Sequence, residues 1–128
     1  MTTRDAHADR GSVSIVAAAL MCVALMLSMG AADLARVLAS AARAQTAADA
    51  AALAAAQELV APSSGDPAPA EIAATYAVRN DAELTACSCD VGGTEAVVTV
   101  RVSVGSLLFA PDDRVVTARA RAVVDVPA

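Results

Sequence analysis

The chain contains no tryptophan and no lysine, and only one tyrosine, one phenylalanine and one histidine in 128 residues. Each scarcity removes a class of protein. Aromatic side chains carry much of the apolar area of a large core, so an aromatic content of 2% excludes a deep globular interior. Nine arginines stand against fourteen acids, for a net charge of −5. Phosphate binding needs a cationic face, and this balance excludes nucleic acid as a partner. The one histidine, His7, lies in a polar tail ahead of a long apolar run, so no Ser/His/Asp set can be assembled, and no glycine-rich phosphate loop is present. Catalysis has no candidate residues, and no cofactor, metal or small-molecule substrate is expected.

Charge is also missing from one long stretch. Val13 to Ala32 is twenty residues without an ionisable Asp, Glu, Lys or Arg, bracketed by Arg10 and Asp33. Twenty helical residues rise about 30 Å, the thickness of the hydrocarbon core of a bilayer. A transmembrane helix over 13–32 is therefore expected. A cleaved export signal with Gly30-Ala31-Ala32 as its exit is the competing reading, and a buried soluble helix is a third. Arg4 and Arg10 before the span tie with Arg36 and Arg43 after it. Size breaks the tie: residues 1–12 form a short cytoplasmic tail and the larger C-terminal part lies outside the cytoplasm.

Neither Gly nor Pro interrupts the chain between Ala31 and Ala61, where Ala, Leu, Arg, Gln and Glu dominate. One continuous helix from Ser12 to Val60 follows, with residues 33–60 as an extracytoplasmic stalk. Leu34, Val37, Ala41, Ala44, Ala48, Ala51 and Ala55 fall on a 3.5-residue period, the spacing of a seam packed against other helices. Three prolines and a glycine in 61–70 mark a linker over 61–69. A head then spans 70–128. It comprises a short helix over Glu71–Asn80, a strand around Leu84–Val91, a tight turn at Gly92-Gly93 and two strands in which apolar positions alternate. Ala96 to Val104 and Val116 to Val126 are the inward sets. The fold class is α+β: a long N-terminal transmembrane helix continuing as an Ala-rich stalk, then a short helix and a three-stranded antiparallel sheet. The sheet's apolar face is expected against the short helix or the outer half of the long one.

Cys87-Ser-Cys89 is the one constellation with redox potential. Regular strand rise would hold the two Cα atoms about 6.6 Å apart, so an intrachain disulfide requires a bend. A bond to another chain, or plain burial of two small side chains, are the alternatives. Leu107-Leu108-Phe109 is an apolar trio between strands, expected to fold back on its own domain or to touch a partner, and Asp112-Asp113 after Pro111 reads as a turn.

The stretch Arg43-Ala-Gln45-Thr-Ala-Ala-Asp49-Ala-Ala-Ala-Leu53-Ala-Ala-Ala56, with Asp9-Arg10-Gly11-Ser12 before the apolar run and Ala118-Arg-Ala-Arg-Ala122 near the end, resembles the TadE/TadG-like tight-adherence (Flp-type) pilus assembly proteins. The opening Asp9–Ser12 and the repeat at 118–122 are similar to the short actinobacterial TadE-like proteins encoded beside secretion ATPase genes. The resemblance spans 9–60 and 85–122, with Gly11, Gln45, Asp49 and Leu53 as motif positions. It implies a pilin-like fold and a minor-pilin or pseudopilin role, with the membrane, other pilin-like or TadE-like subunits and a secretion machinery as partners. Pilin precursors often carry Glu five residues after a cleavage glycine, whereas that position after Gly11 is Val16. An uncut, membrane-retained chain is expected. A surface-displayed monomeric binding module and an envelope redox protein are the rival readings.

Overall fold

The computed structural model describes residues 5–60, 67–110 and 114–125, with side chains from residue 13 onward. Helix α1 runs unbroken over Asp5–Val60 and helix α2 over Pro69–Arg79. Strands β1 (Glu83–Ser88), β2 (Glu95–Ser103) and β3 (Val115–Val123) form an antiparallel sheet in the order β1-β2-β3. At 1.5 Å per residue, α1 is about 84 Å long. The architecture is α+β, as the periodicities indicate. The expected turn at Asp112-Asp113 and most of the 61–69 linker lie outside the described residues.

Helix α2 begins two residues earlier than its apolar pattern suggests, because Pro69 occupies the first turn, where its missing N–H costs no helical hydrogen bond. It ends at Asn80, whose side-chain amide donates to the Tyr76 carbonyl at 2.8 Å. Asp81 then adopts φ 56°, a left-handed conformation that Asp tolerates better than most residues, and the chain reverses into β1.

Alternation sets the register of the sheet. Ala96, Val98, Val100 and Val102 of β2 lie opposite Ala122, Ala120, Ala118 and Val116 of β3, so one face is wholly apolar. The other face carries Glu83 opposite Arg101, joined by two hydrogen bonds of 2.9 Å, and an Arg121–Glu95 pair with Nη2 at 2.8 Å from Oε2. Such exposed pairs contribute little stability but make the outer face wettable.

The apolar face rests on the outer half of α1 and on α2. Twelve of the sixteen residues in the buried cluster are alanine, and among the described residues only Val98 and Val100 are larger side chains of essentially zero exposure. Small side chains let the helix and sheet backbones approach closely, which is how a chain nearly without aromatics closes a core. The core is thin, as the composition implies.

The C-terminal half of α1 is therefore not a free stalk. Ala44, Ala48, Ala51 and Ala55, expected to face other subunits, are 0% exposed and packed in the chain's own core. An isolated three-stranded sheet must cover its apolar face, and the alanine stripe of α1 covers it. The seam expectation is corrected at those four positions.

Candidate functional site: the anchor, its collar and the outward helix face

Val13 to Ala32 projects from the head with every side chain exposed. Ile15, Leu20, Met21 and Leu27 keep 65–73% of their accessible surface, and no residue of the most apolar window is buried. This is the one described helix long and apolar enough to cross a membrane by length and composition. Water tolerates scattered apolar residues but not a continuous sleeve of them. Lipid also demands that polar atoms be satisfied internally, and Ser28 donates its hydroxyl to the Ala24 carbonyl at 2.8 Å, one turn back.

Where the sleeve ends, α1 is clamped to the head. Asp33, the first charge after the span, accepts the backbone N–H of Leu108 at 2.9 Å from each carboxylate oxygen and that of Phe109 at 3.0 Å. Three residues on, Arg36 Nη1 donates to the Ser106 carbonyl at 2.9 Å and lies 3.8 Å from Asp33 Oδ1. The Asp33 side chain keeps only 14% of its surface, so these N–H donors and the nearby guanidinium replace the water it lost. Gly105, at φ +76°, lets the chain leave β2 and turn toward the clamp. The trio at 107–109 folds back at its backbone, yet Leu108 and Phe109 remain 52% and 62% exposed. Charge patterning alone did not indicate this collar. The available signal was a lone carboxylate directly at the end of an apolar span.

Helical geometry explains the placement of the remaining candidates. At about 100° per residue, Asp33 falls within about 20° of Ala44, on the head-facing side, whereas Leu34 lies about 80° away. Accordingly Leu34 is 60% exposed, off the seam to which its spacing assigned it, while Val37 lies along the buried face and Ala41 at its edge, both half-buried. Leu38, Gln45, Asp49 and Leu53 share the sector about 100–180° from Ala44, and all four are exposed. Gln45 Nε2 donates to Asp49 Oδ1 at 2.9 Å, an i,i+4 pair. The motif positions Gln45, Asp49 and Leu53 thus form one exposed line on α1, bordered at Leu53 by Val123 and Val124 of the head. Gly11 lies inside the first turns of α1.

Cys87 and Cys89 form an intrachain disulfide with Cα atoms 5.5 Å apart. The bend it requires is present: β1 stops at Ser88, so Cys89 lies outside the strand, and the ladder slips between Leu84 and Ala86. The expected strand to Val91 is shortened for this reason. Cys22 is a free thiol on the exposed sleeve. Among the described residues, no three His, Cys, Asp or Glu side chains gather as metal ligands.

Residues 11–58 match the family described as Flp pilus-assembly TadE/G-like. The match covers the apolar sleeve, the collar residues Asp33 and Arg36, and the Gln45–Leu53 line. The similar stretch at 85–122 lies outside it. No curated protein and no solved structure matches the chain.

Proposed function

We propose, taking the TadE/G-like character of residues 11–58 as premise, that the chain is a non-enzymatic, membrane-anchored component of a Flp-type pilus or a related secretion apparatus, with a minor-pilin or pseudopilin role. The observation that carries this reading is the continuity of α1: one helix supplies a bilayer-length apolar sleeve and, without a break, the wall of a small folded head. A head rigidly joined to its anchor transmits position and force, which suits assembly on a membrane. In this reading the N-terminus is cytoplasmic and the head is extracytoplasmic. A disulfide at Cys87–Cys89 is at home there, because the cytoplasm keeps thiols reduced.

The subunit contact is assigned to the outward face, where Leu38, Leu53 and the Gln45–Asp49 pair are exposed, and not to the buried alanine stripe. Single cysteines in a Cys22→Ala background test it by oxidative crosslinking in native membranes. Leu38→Cys and Leu53→Cys are expected to give adducts and Ala48→Cys none. A clean monomer at both outward positions would replace assembly with display of a monomeric binding module. A carboxyl-terminal tag reachable only from the cytosol would overturn the orientation.

A further inference from the structure

We propose that Leu108 and Phe109 form a second membrane contact: a short apolar wedge held in the lipid interface beside the anchor, at a depth set by Asp33. The idea rests on the anchor reading of Val13–Ala32. Three observations carry it. The segment from Val104 to Ala110 has no charged residue, and within it Leu108 and Phe109 are more than half exposed while Leu107 is partly buried. Its backbone is tied to the first charged residue after the sleeve, so the wedge is level with the point where α1 leaves the hydrocarbon. The loop is also prepared for a medium of low polarity, because the N–H groups of Leu108 and Phe109 and the carbonyl of Ser106 are all paired with side chains of α1.

The last point separates a lipid contact from an ordinary exposed loop. In water those three groups need no protein partner. In hydrocarbon an unpaired backbone group costs several kcal/mol, a penalty that grows as water thins toward the acyl chains. The clamp removes that penalty for these three groups and leaves the apolar side chains to contribute. Asp33 itself would be costly near lipid, and the half-exposed Arg36 guanidinium beside it offsets the charge. The occupant is thus the acyl–headgroup boundary of the bilayer, not a peptide or a second subunit, whose proposed face lies on the other side of α1. Two contacts, one spanning and one grazing, would fix the tilt and rotation of α1 and so orient the outward face for its neighbours.

The chain has no tryptophan, so one introduced tryptophan reports without background. The full-length protein is reconstituted into phosphatidylcholine vesicles brominated either near the carbonyl or near the methyl end of the acyl chains. Three single variants are compared: Phe109→Trp in the wedge, Leu20→Trp in the sleeve, and Val91→Trp, 64% exposed near the Gly92 turn at the other end of the sheet. Phe109→Trp is expected to emit at shorter wavelength than Val91→Trp and to be quenched on the order of threefold more by the shallow bromines than by the deep ones, as an interfacial aromatic would be. Leu20→Trp should show the reverse depth preference. Adding Asp33→Asn to Phe109→Trp should weaken the shallow quenching and leave Leu20→Trp unchanged. If Phe109→Trp is quenched no more than Val91→Trp while Leu20→Trp is quenched, the wedge is refuted and the anchor stands. If Leu20→Trp is also unquenched, the anchor fails and the wedge falls with it.

Discussion

Replacing Ala48 by Leu tests where the alanine stripe packs. Ala48 is 0% exposed and shares a cluster with Val98 and Val100, which are also fully buried. Leu adds three carbons, whose burial would contribute about 2.4 kcal/mol at roughly 0.8 kcal/mol per carbon if space existed. Protein interiors are close-packed, and the neighbours of Ala48 in this core are themselves fully buried. The added volume must push α1 off the sheet or force strained rotamers, a net destabilisation of about 1–3 kcal/mol. For a domain of this size that lowers the unfolding midpoint by about 4–20 °C. The assay is thermal proteolysis of the full-length protein in detergent, with loss of the intact head followed by mass. Leu53→Ala, on the outward face at 58% exposure, is the control and should shift the midpoint little. The reasoning is refuted if Ala48→Leu melts with the wild type while its subunit crosslinks disappear, because the stripe would then serve neighbouring chains and not this one.

Further expectations are open to the same assay. Val98→Ala removes two methyl groups from a site of zero exposure, at a cost of about 1–3 kcal/mol, twice the usual loss for a single core methylene. Reducing Cys87–Cys89 should cost only about 1.6 kcal/mol in the chain-entropy model, because the loop it closes is minimal; a thiol titration rising from one to three reactive groups on reduction would confirm the bond. Arg101→Ala breaks an exposed cross-strand pair with Glu83 and should cost less than about 1 kcal/mol, an effect that fades as salt is raised. Gly105→Ala meets no steric contact but must adopt φ +76°, so a loss of about 1 kcal/mol and faster amide exchange at Leu108 and Phe109 are expected.

Much of the fold is legible in the order of the residues. The apolar run bounded by Arg10 and Asp33, the absence of helix breakers to Val60, and the two-residue alternation in β2 and β3 each record a local preference that needs no neighbour to express. The alanine stretch is less informative. Apolar residues surround the helix there, so several stripes match one spacing, and the periodic seam begins at Leu34 although the buried face runs through Asp33, Val37 and Ser40. Cys87 and Cys89 suggested a bond only if the strand bent, and the bend arises where β1 ends and the chain turns toward β2.

By itself, the sequence determined that this chain has a membrane-length helix, a break near its middle, and a small sheet with one apolar face. Those are properties of neighbours along the chain, set by hydrophobicity and backbone preference over a few residues. Tertiary structure alone decided which side of α1 covers that sheet, and therefore which side stays free. It also brought a carboxylate at position 33 to the backbone of residues 108 and 109. That pairing depends on how closely alanines let two layers approach, a distance that no one-dimensional pattern contains.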